Sequence, residues 1–297
     1  MLEEFKNAFN RPNQGHVQLI IINVVVFLVL GVLMVFSKWL GFEEIFSSIH
    51  NHFSLPSNFG EFLTRPWTLF TYFFTHDLGG ILHILFNMLL LYWFGKLFIE
   101  YLGSDKLIAV YILGGIAGGV LYLMAYNLMP GPPSFLSNRA ELVGASAAVF
   151  AIMVGAATLL PDYTFFLMFF GPVKIKWIAA IYIFLSFLGS VGNNAGGEIA
   201  HMGGALIGFV YVKQLQAGVN WGGWITAILD WFKGLASPKA KVKVSYRKQE
   251  GANGKKNVNL SGISQKEIDE ILDKISDGGY ESLTKEEKEK LFKASKK

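Results

Sequence analysis

Residue types able to act as nucleophile, base and hydrogen-bond donors stand in apolar surroundings at Ser146, His201, His83 and Asn87. Ser146 lies in the small-residue run Gly144-Ala145-Ser146-Ala147-Ala148, and about fifty residues later His201 opens Ala200-His201-Met202-Gly203-Gly204. An ionisable side chain inside a membrane-length apolar segment is costly unless paired, which marks it as a functional candidate. The face Ala200, Gly204, Gly208 beside His201 and the small run around Ser146 both suit close helix contact. Such contact would bring the hydroxyl within hydrogen-bond reach of the imidazole, the geometry by which a base activates a nucleophile.

His83 and Asn87, four apart, share one helix face. With the backbone N–H groups near Ser146 at a helix start, they offer donors for an oxyanion. The pair reads equally as a hydrogen-bonded fixture tying a helix to the adjacent loop. A Gly-x-Ser triplet alone also fits packing, since Ser in a helix can bond its own i−4 carbonyl. A third group that orients the base is the usual companion. None stands out: Glu198 reads as a solvated carboxylate at the outer mouth, and Asp77, Asp105 and Asp162 belong to loops. A Ser146–His201 dyad is the working assignment. No H-E-x-x-H occurs and no carboxylate falls in register with the two histidines, so neither metal nor cofactor is expected.

The elements that must hold these residues are membrane spans. Of 297 residues, 52% are hydrophobic and 16% charged, the composition of a multi-spanning membrane protein rather than a soluble one. Cysteine is absent, which excludes disulfides, thiol nucleophiles and thiolate metal sites. The net charge of +4 concentrates in a Lys-rich C-terminal tail without basic-aromatic motifs, so the lipid surface is the expected partner and nucleic acid is not.

Residues 1–16 are polar and fit neither a transit peptide nor a cleavable signal, so the first span, about Val17 to Phe36, reads as an uncleaved anchor. Residues 38–80 are amphipathic and aromatic-rich, expected to lie in the interface plane as either a functional loop or a bilayer-boundary anchor. Further spans are expected at about Ile81 to Tyr101, Leu107 to Leu128, Leu142 to Leu160, Ile175 to Gly192 and Ile199 to Val219. Met129 to Ser137 is a turn-rich loop. Gly114, Gly115, Gly118 and Gly119 form overlapping G-x-x-x-G pairs for helix packing.

Six spans put both termini on one side. Lys6, Arg11, Lys106, Lys174, Lys176, Lys213 and the tail oppose Lys38, Arg65 and Arg139, so both termini are expected to be cytoplasmic. Spans two, four and six then start at the outer face, and His83, Asn87, Ser146 and His201 meet at similar shallow depth. The resulting fold class is an all-α membrane protein, with a six-span domain at 17–219, an interfacial anchor and flexible linker at 220–262, and a C-terminal helical hairpin at 263–297. Two capping boxes, Ser264 with Glu267 and Thr284 with Glu287, and the Gly278-Gly279 break carry the hairpin reading. It reads as a partner-docking or regulatory appendage, or as a solubilising tail.

The chain also resembles the rhomboid intramembrane serine proteases over roughly residues 15 to 217. R-P-W-T-L-F-T-Y-F-F-T-H followed by H-I-L-F-N-M-L-L-L-Y-W-F-G looks like the family's entry into its second span. V-G-A-S-A is similar to its G-x-S-G nucleophile motif, and E-I-A-H-M-G-G-A-L-I-G resembles its A-x-H-x-x-G base motif. The resemblance implies Ser146 as nucleophile, His201 as general base, His83 and Asn87 as oxyanion donors, and Gly144, Phe150 and Gly204 as packing beside the dyad. It implies cleavage of single-span membrane proteins near the outer end of their helices. Ala147 stands where the family usually has Gly, Phe150 where many members have Tyr, and two residues are inserted between His76 and His83. The expected setting is a bacterial plasma (inner) membrane; oligomeric state has no signal.

Two other classes stand beside the hydrolase. A non-catalytic membrane protein could use the same fold to hold client helices, but would not need a paired nucleophile and base. A channel or transporter would show broken paired spans or charged mid-membrane residues, and the sequence shows neither.

Overall fold

An apolar run in lipid can satisfy its backbone only internally, and the first such run does so as a helix, α1 (Gly15–Leu40). In the computed structural model, residues 13–128, 141–168, 170–236 and 265–295 are described. The segment 1–12, the loop Met129 to Ser137 and most of the 220–262 linker lie outside them. The chain divides into two units, Met1–Lys239 and Ala240–Lys297.

In the first unit, α1 starts with the Gly15 N–H on Ser104 Oγ at 3.0 Å and ends at Gly41, whose φ of 74° closes the last turn. Leu28, Val29 and Val32 remain exposed along it, an apolar face suited to lipid. The amphipathic stretch that follows folds as α2 (Glu43–Phe53), α3 (Phe59–Thr64), α4 (Thr68–Thr71) and a 3-10 turn (Tyr72–Phe74). Trp67 Nε1 donates to the His52 carbonyl at 2.9 Å and Thr71 Oγ1 to that of Phe53 at 2.9 Å. Tyr72 and Phe73 are buried; Tyr72 Oη donates to the Gly115 carbonyl, and Tyr111 Oη donates to the Phe73 carbonyl at 2.9 Å. This segment is therefore docked into the helix bundle.

Helices α5 (Ile81–Leu102) and α6 (Ser104–Leu128) follow within three residues of the expected bounds. Next come α7 (Ser146–Leu159), an antiparallel ribbon of β1 (Thr164–Leu167) and β2 (Gly171–Lys174), α8 (Ile175–Gly189), α9 (Ala195–Gln216) and α10 (Gly223–Ala236). The ribbon departs from the all-α expectation. Thr164, Phe165, Phe166 and Val173 are β-branched or aromatic, Gly171 opens β2 at φ 67°, and Thr164 pairs with Lys174. Beside it Asp162 bonds Lys176 and Lys174 at 2.8 and 2.9 Å, which holds its carboxyl down at about 2. Helix α10 replaces the first part of the expected linker and packs on α6.

The core lies where α6, α7 and α9 meet. A side chain at Gly118 would strike Ala147 of α7 and the Ala200 carbonyl of α9, and one at Gly208 would strike the Ala151 backbone. Only glycine permits this approach. By length and composition α1, α5 and α6 suffice to cross a membrane, while α7 and α8 are apolar but shorter.

The second unit holds α11 (Gln265–Gly278), a 3-10 turn (Tyr280–Ser282) and α12 (Lys285–Ser295). Thr284 and Glu287 form the expected capping box: the Thr284 N–H donates to Glu287 Oε2 at 2.8 Å and the Glu287 N–H to Thr284 Oγ1 at 3.3 Å. Ser264, the cap of the other box, lies outside the described residues. Ile271 and Leu283 are buried, and Lys274 bonds Glu287 at 2.8 Å.

Candidate functional site

Ser146 is the first residue of α7, four residues later than the apolar run suggests, because residues 142–145 are held outside the helix. The Leu142 N–H and carbonyl pair with those of Leu55 at 2.9 and 3.0 Å. The Gly144 N–H donates to the Tyr72 carbonyl at 3.0 Å, and Gly144 takes a φ of 122°, where a side chain is disfavoured and would also press on the His83 ring. The docked loop thus fixes where α7 begins. The first helical bond, from the Val149 N–H to the Ala145 carbonyl at 2.9 Å, lies beyond the Ser146 and Ala147 amides, which have no intrahelical acceptor. They are donors at the positive end of a helix, beside the hydroxyl.

His201 sits in the second turn of α9. Phe150, one turn after Ser146, stacks on its imidazole with ring centroids 4.3 Å apart and planes at 11°. The stack ties α7 to His201 through the phenyl ring of Phe150. His201 Nδ1 lies 3.1 Å from Glu198 Oε2 and 3.0 Å from Ser186 Oγ of α8. A carboxylate only accepts, so a bond to Glu198 puts a proton on Nδ1, and an uncharged imidazole held this way has its lone pair on Nε2.

Glu198 corrects the sequence reading. Helix α9 begins at Ala195 rather than Ile199, so residues 198 and 201 occupy consecutive turns of one helix face. The Glu198 side chain is 23% exposed, which is not the solvated carboxylate expected at the mouth. The three-residue spacing from Glu198 to His201 was legible; what was missed is that the helix starts early enough to include Glu198. Ser186 carried no sequence signal at all.

His83 lies at the start of α5, and the point where a Gly144 side chain would begin is 3.3 Å from His83 Nε2 and 3.8 Å from Ser146 Oγ. His83 and Ser146 are therefore neighbours. Asn87 is buried one turn further and donates one N–H of its amide to the His83 carbonyl at 2.9 Å, leaving a second N–H. That bond lies within α5 and does not itself tie the helix to the loop. His76, fully buried, stands 5.8 Å from His83 ring to ring, and the Ala145 N–H points at its Nε2 at 3.5 Å. Gly204 lies against the Ala147 carbonyl. Among the hydrogen bonds of the described residues none joins Ser146 Oγ directly to His201; catalytic bonds in unliganded sites commonly tighten only around substrate. No three metal-ligating side chains gather among the described residues.

The arrangement is that of a helical membrane protein with a hydroxyl, an imidazole and amide donors at one end of a tightly packed helix trio. Residues 63–216 match the Rhomboid domain, and the chain belongs to the rhomboid family. It is 33% identical over 206 residues to "RHOMBOID-like protein 12, mitochondrial" of Arabidopsis thaliana, covering 66% of this chain and 59% of that protein. It is 32% identical over 160 residues to "RHOMBOID-like protein 1" of the same plant, covering 51% and 36% respectively. The chain thus spans less than two thirds of either relative. Residues 262–297 match a separate family of unknown function (DUF6576).

Proposed function

We propose that this protein is an intramembrane serine endopeptidase that hydrolyses peptide bonds in or near transmembrane segments of single-span membrane proteins. The observation that carries the reading is the start of α7: Ser146 stands at a helix N-terminus with unpaired amides, beside His83, one turn from the Phe150 ring stacked on His201. In the proposed reaction His201 Nε2 takes the Ser146 proton as Oγ bonds to the scissile carbonyl carbon. The oxyanion is received by the Ser146 and Ala147 amides, the His83 imidazole and the remaining Asn87 N–H. The proton then passes from His201 to the departing nitrogen as the C–N bond breaks, leaving an acyl-enzyme that water, deprotonated by the same imidazole, hydrolyses.

The finer architecture belongs to this proposal: α1, α5, α6, α7, α8 and α9 as six spans, both termini cytoplasmic in a bacterial inner membrane, and α11 with α12 as a cytoplasmic helical hairpin that docks a partner or regulates. Purified protein is tested with a fluorophosphonate, wild type beside Ser146→Ala, and with a single-span test substrate. The expected result is labelling and cleavage of wild type and loss of both in the variant. His201→Ala should lose cleavage too, and the double variant should be no worse, because members of one catalytic unit are non-additive. Substantial cleavage by folded Ser146→Ala defeats the assignment.

A further inference from the structure

A base that must return a proton within one catalytic cycle needs its ring held in one tautomer and one orientation. Stacking by Phe150 fixes the plane of His201 but leaves rotation within that plane free. The polar contacts at Nδ1 remove that freedom. Glu198 lies one turn before His201 on α9, with Oε2 at 3.1 Å from Nδ1, and the Ser186 hydroxyl of α8 stands 3.0 Å from the same nitrogen. The carboxylate is itself confined: a side chain at Gly189 would begin 2.9 Å from Glu198 Cγ and 3.1 Å from Cδ. The bare backbone of α8 makes the slot in which the carboxylate lies.

We infer that Glu198 is the positioning residue of the general base, holding the Nδ1–H of His201 so that Nε2 faces the Ser146 proton, with Ser186 at the same nitrogen and Gly189 keeping that carboxylate in place. The inference deepens the hydrolase reading and rests on it. As Oγ attacks, the Ser146 proton moves to Nε2, and the imidazolium formed is stabilised by the adjacent negative charge. Glu198 stays ionised throughout and takes no proton; the proton leaves from Nε2 with the departing nitrogen. The groups facing this imidazole are Glu198 on its own helix, Ser186 of α8, the uncharged Phe150 ring of α7, and His83 of α5, which interacts with His201 electrostatically and has His76 behind it. Glu198 is the anion among them.

The test is cleavage of a single-span substrate by the full-length protein across pH, for wild type, Glu198→Gln, Glu198→Asp and Gly189→Ala. Glu198→Gln should lower kcat/KM about 10- to 100-fold, less than the loss of a general base itself because His201 remains and Ser186 still reaches Nδ1. The loss should fall on kcat with KM nearly unchanged, and the acidic limb of the profile should move to lower pH, since the imidazolium has lost its counter-charge. Glu198→Asp should recover part of the rate and of the limb. Gly189→Ala, which keeps the carboxylate but fills its slot, should give a smaller loss with a shift of the same sign, and it serves if Glu198→Gln fails to fold. Wild-type rate and profile in Glu198→Gln or in Gly189→Ala overturn the inference while the Ser146 labelling result stands. A wild type that neither labels nor cleaves defeats the hydrolase reading, and this inference with it.

Discussion

Helices α7 and α8 are nearly equal in length and both apolar, yet eleven of fourteen residues are buried in α7 against three of fifteen in α8. The difference lies in side-chain size rather than hydropathy. Helix α7 reads S-A-A-V-F-A-I-M-V-G-A-A-T-L, with small residues that admit the backbones of α6 and α9. Helix α8 presents Trp177, Ile181, Phe184, Leu185 and Phe187, which fill their own surroundings and face outward. Both are apolar; volume decides which becomes the centre of the bundle and which its edge. Ser146, the proposed nucleophile, stands on the buried helix, and the edge helix brings Ser186, one of its few buried residues, to His201.

The strongest way to break this contrast is to spoil the α7–α9 contact. Gly208→Leu should lower the melting temperature and the turnover together, because overpacking a tight contact costs about 1–3 kcal/mol and here meets the Ala151 backbone. Unchanged melting and turnover would mean that the face does not need its glycine. The second expectation tests the edge. The absence of cysteine allows one cysteine near the start of α5 and another near the end of α8 to be joined by a crosslinker on a clean background. Crosslinking should suppress cleavage of a membrane-spanning substrate more than labelling of Ser146 by a small fluorophosphonate. Equal loss or equal survival of both would refute sideways entry beside α8. The smallest effect is expected at Leu185, 57% exposed on α8: Leu185→Ala should change stability by no more than about 0.5 kcal/mol in a denaturation assay. A loss as large as that of Gly208→Leu would show α8 to be as firmly packed as α7.

The long helices were legible in the sequence because α1, α5 and α6 are set by continuous apolar runs, whose ends are marked by Gly41 and by Gly103 between α5 and α6. Ser146, His201, His83 and Asn87 were legible as candidates because polar groups are conspicuous in such runs. What hydropathy could not supply was phase. It started one helix too early at Leu142, where backbone pairing with Leu55 holds the chain extended, and another too late at Ile199, because Gly196, Gly197 and Glu198 lower the apolar average without stopping a helix. That second error moved Glu198 off the helix, so its three-residue spacing from His201 was read as that of a solvated carboxylate at the mouth. Ser186 was invisible for a different reason: one serine in an apolar helix acquires a role only through a partner on another helix. The ribbon at 164–174 was missed because a short aromatic run beside a proline has no periodicity long enough to read.

The bond between Ser186 and His201 joins the edge helix to the base. Any displacement of α8 wide enough to admit a substrate helix must lengthen that bond and withdraw Gly189 from the Glu198 carboxylate. Access and readiness are then linked in the thermodynamic sense. Whatever favours the inward position of α8 favours the aligned imidazole, and an aligned imidazole favours the inward position by the same free energy. Under the proposed function, a substrate seated well enough to let α8 return would restore a bond that entry beside α8 had broken.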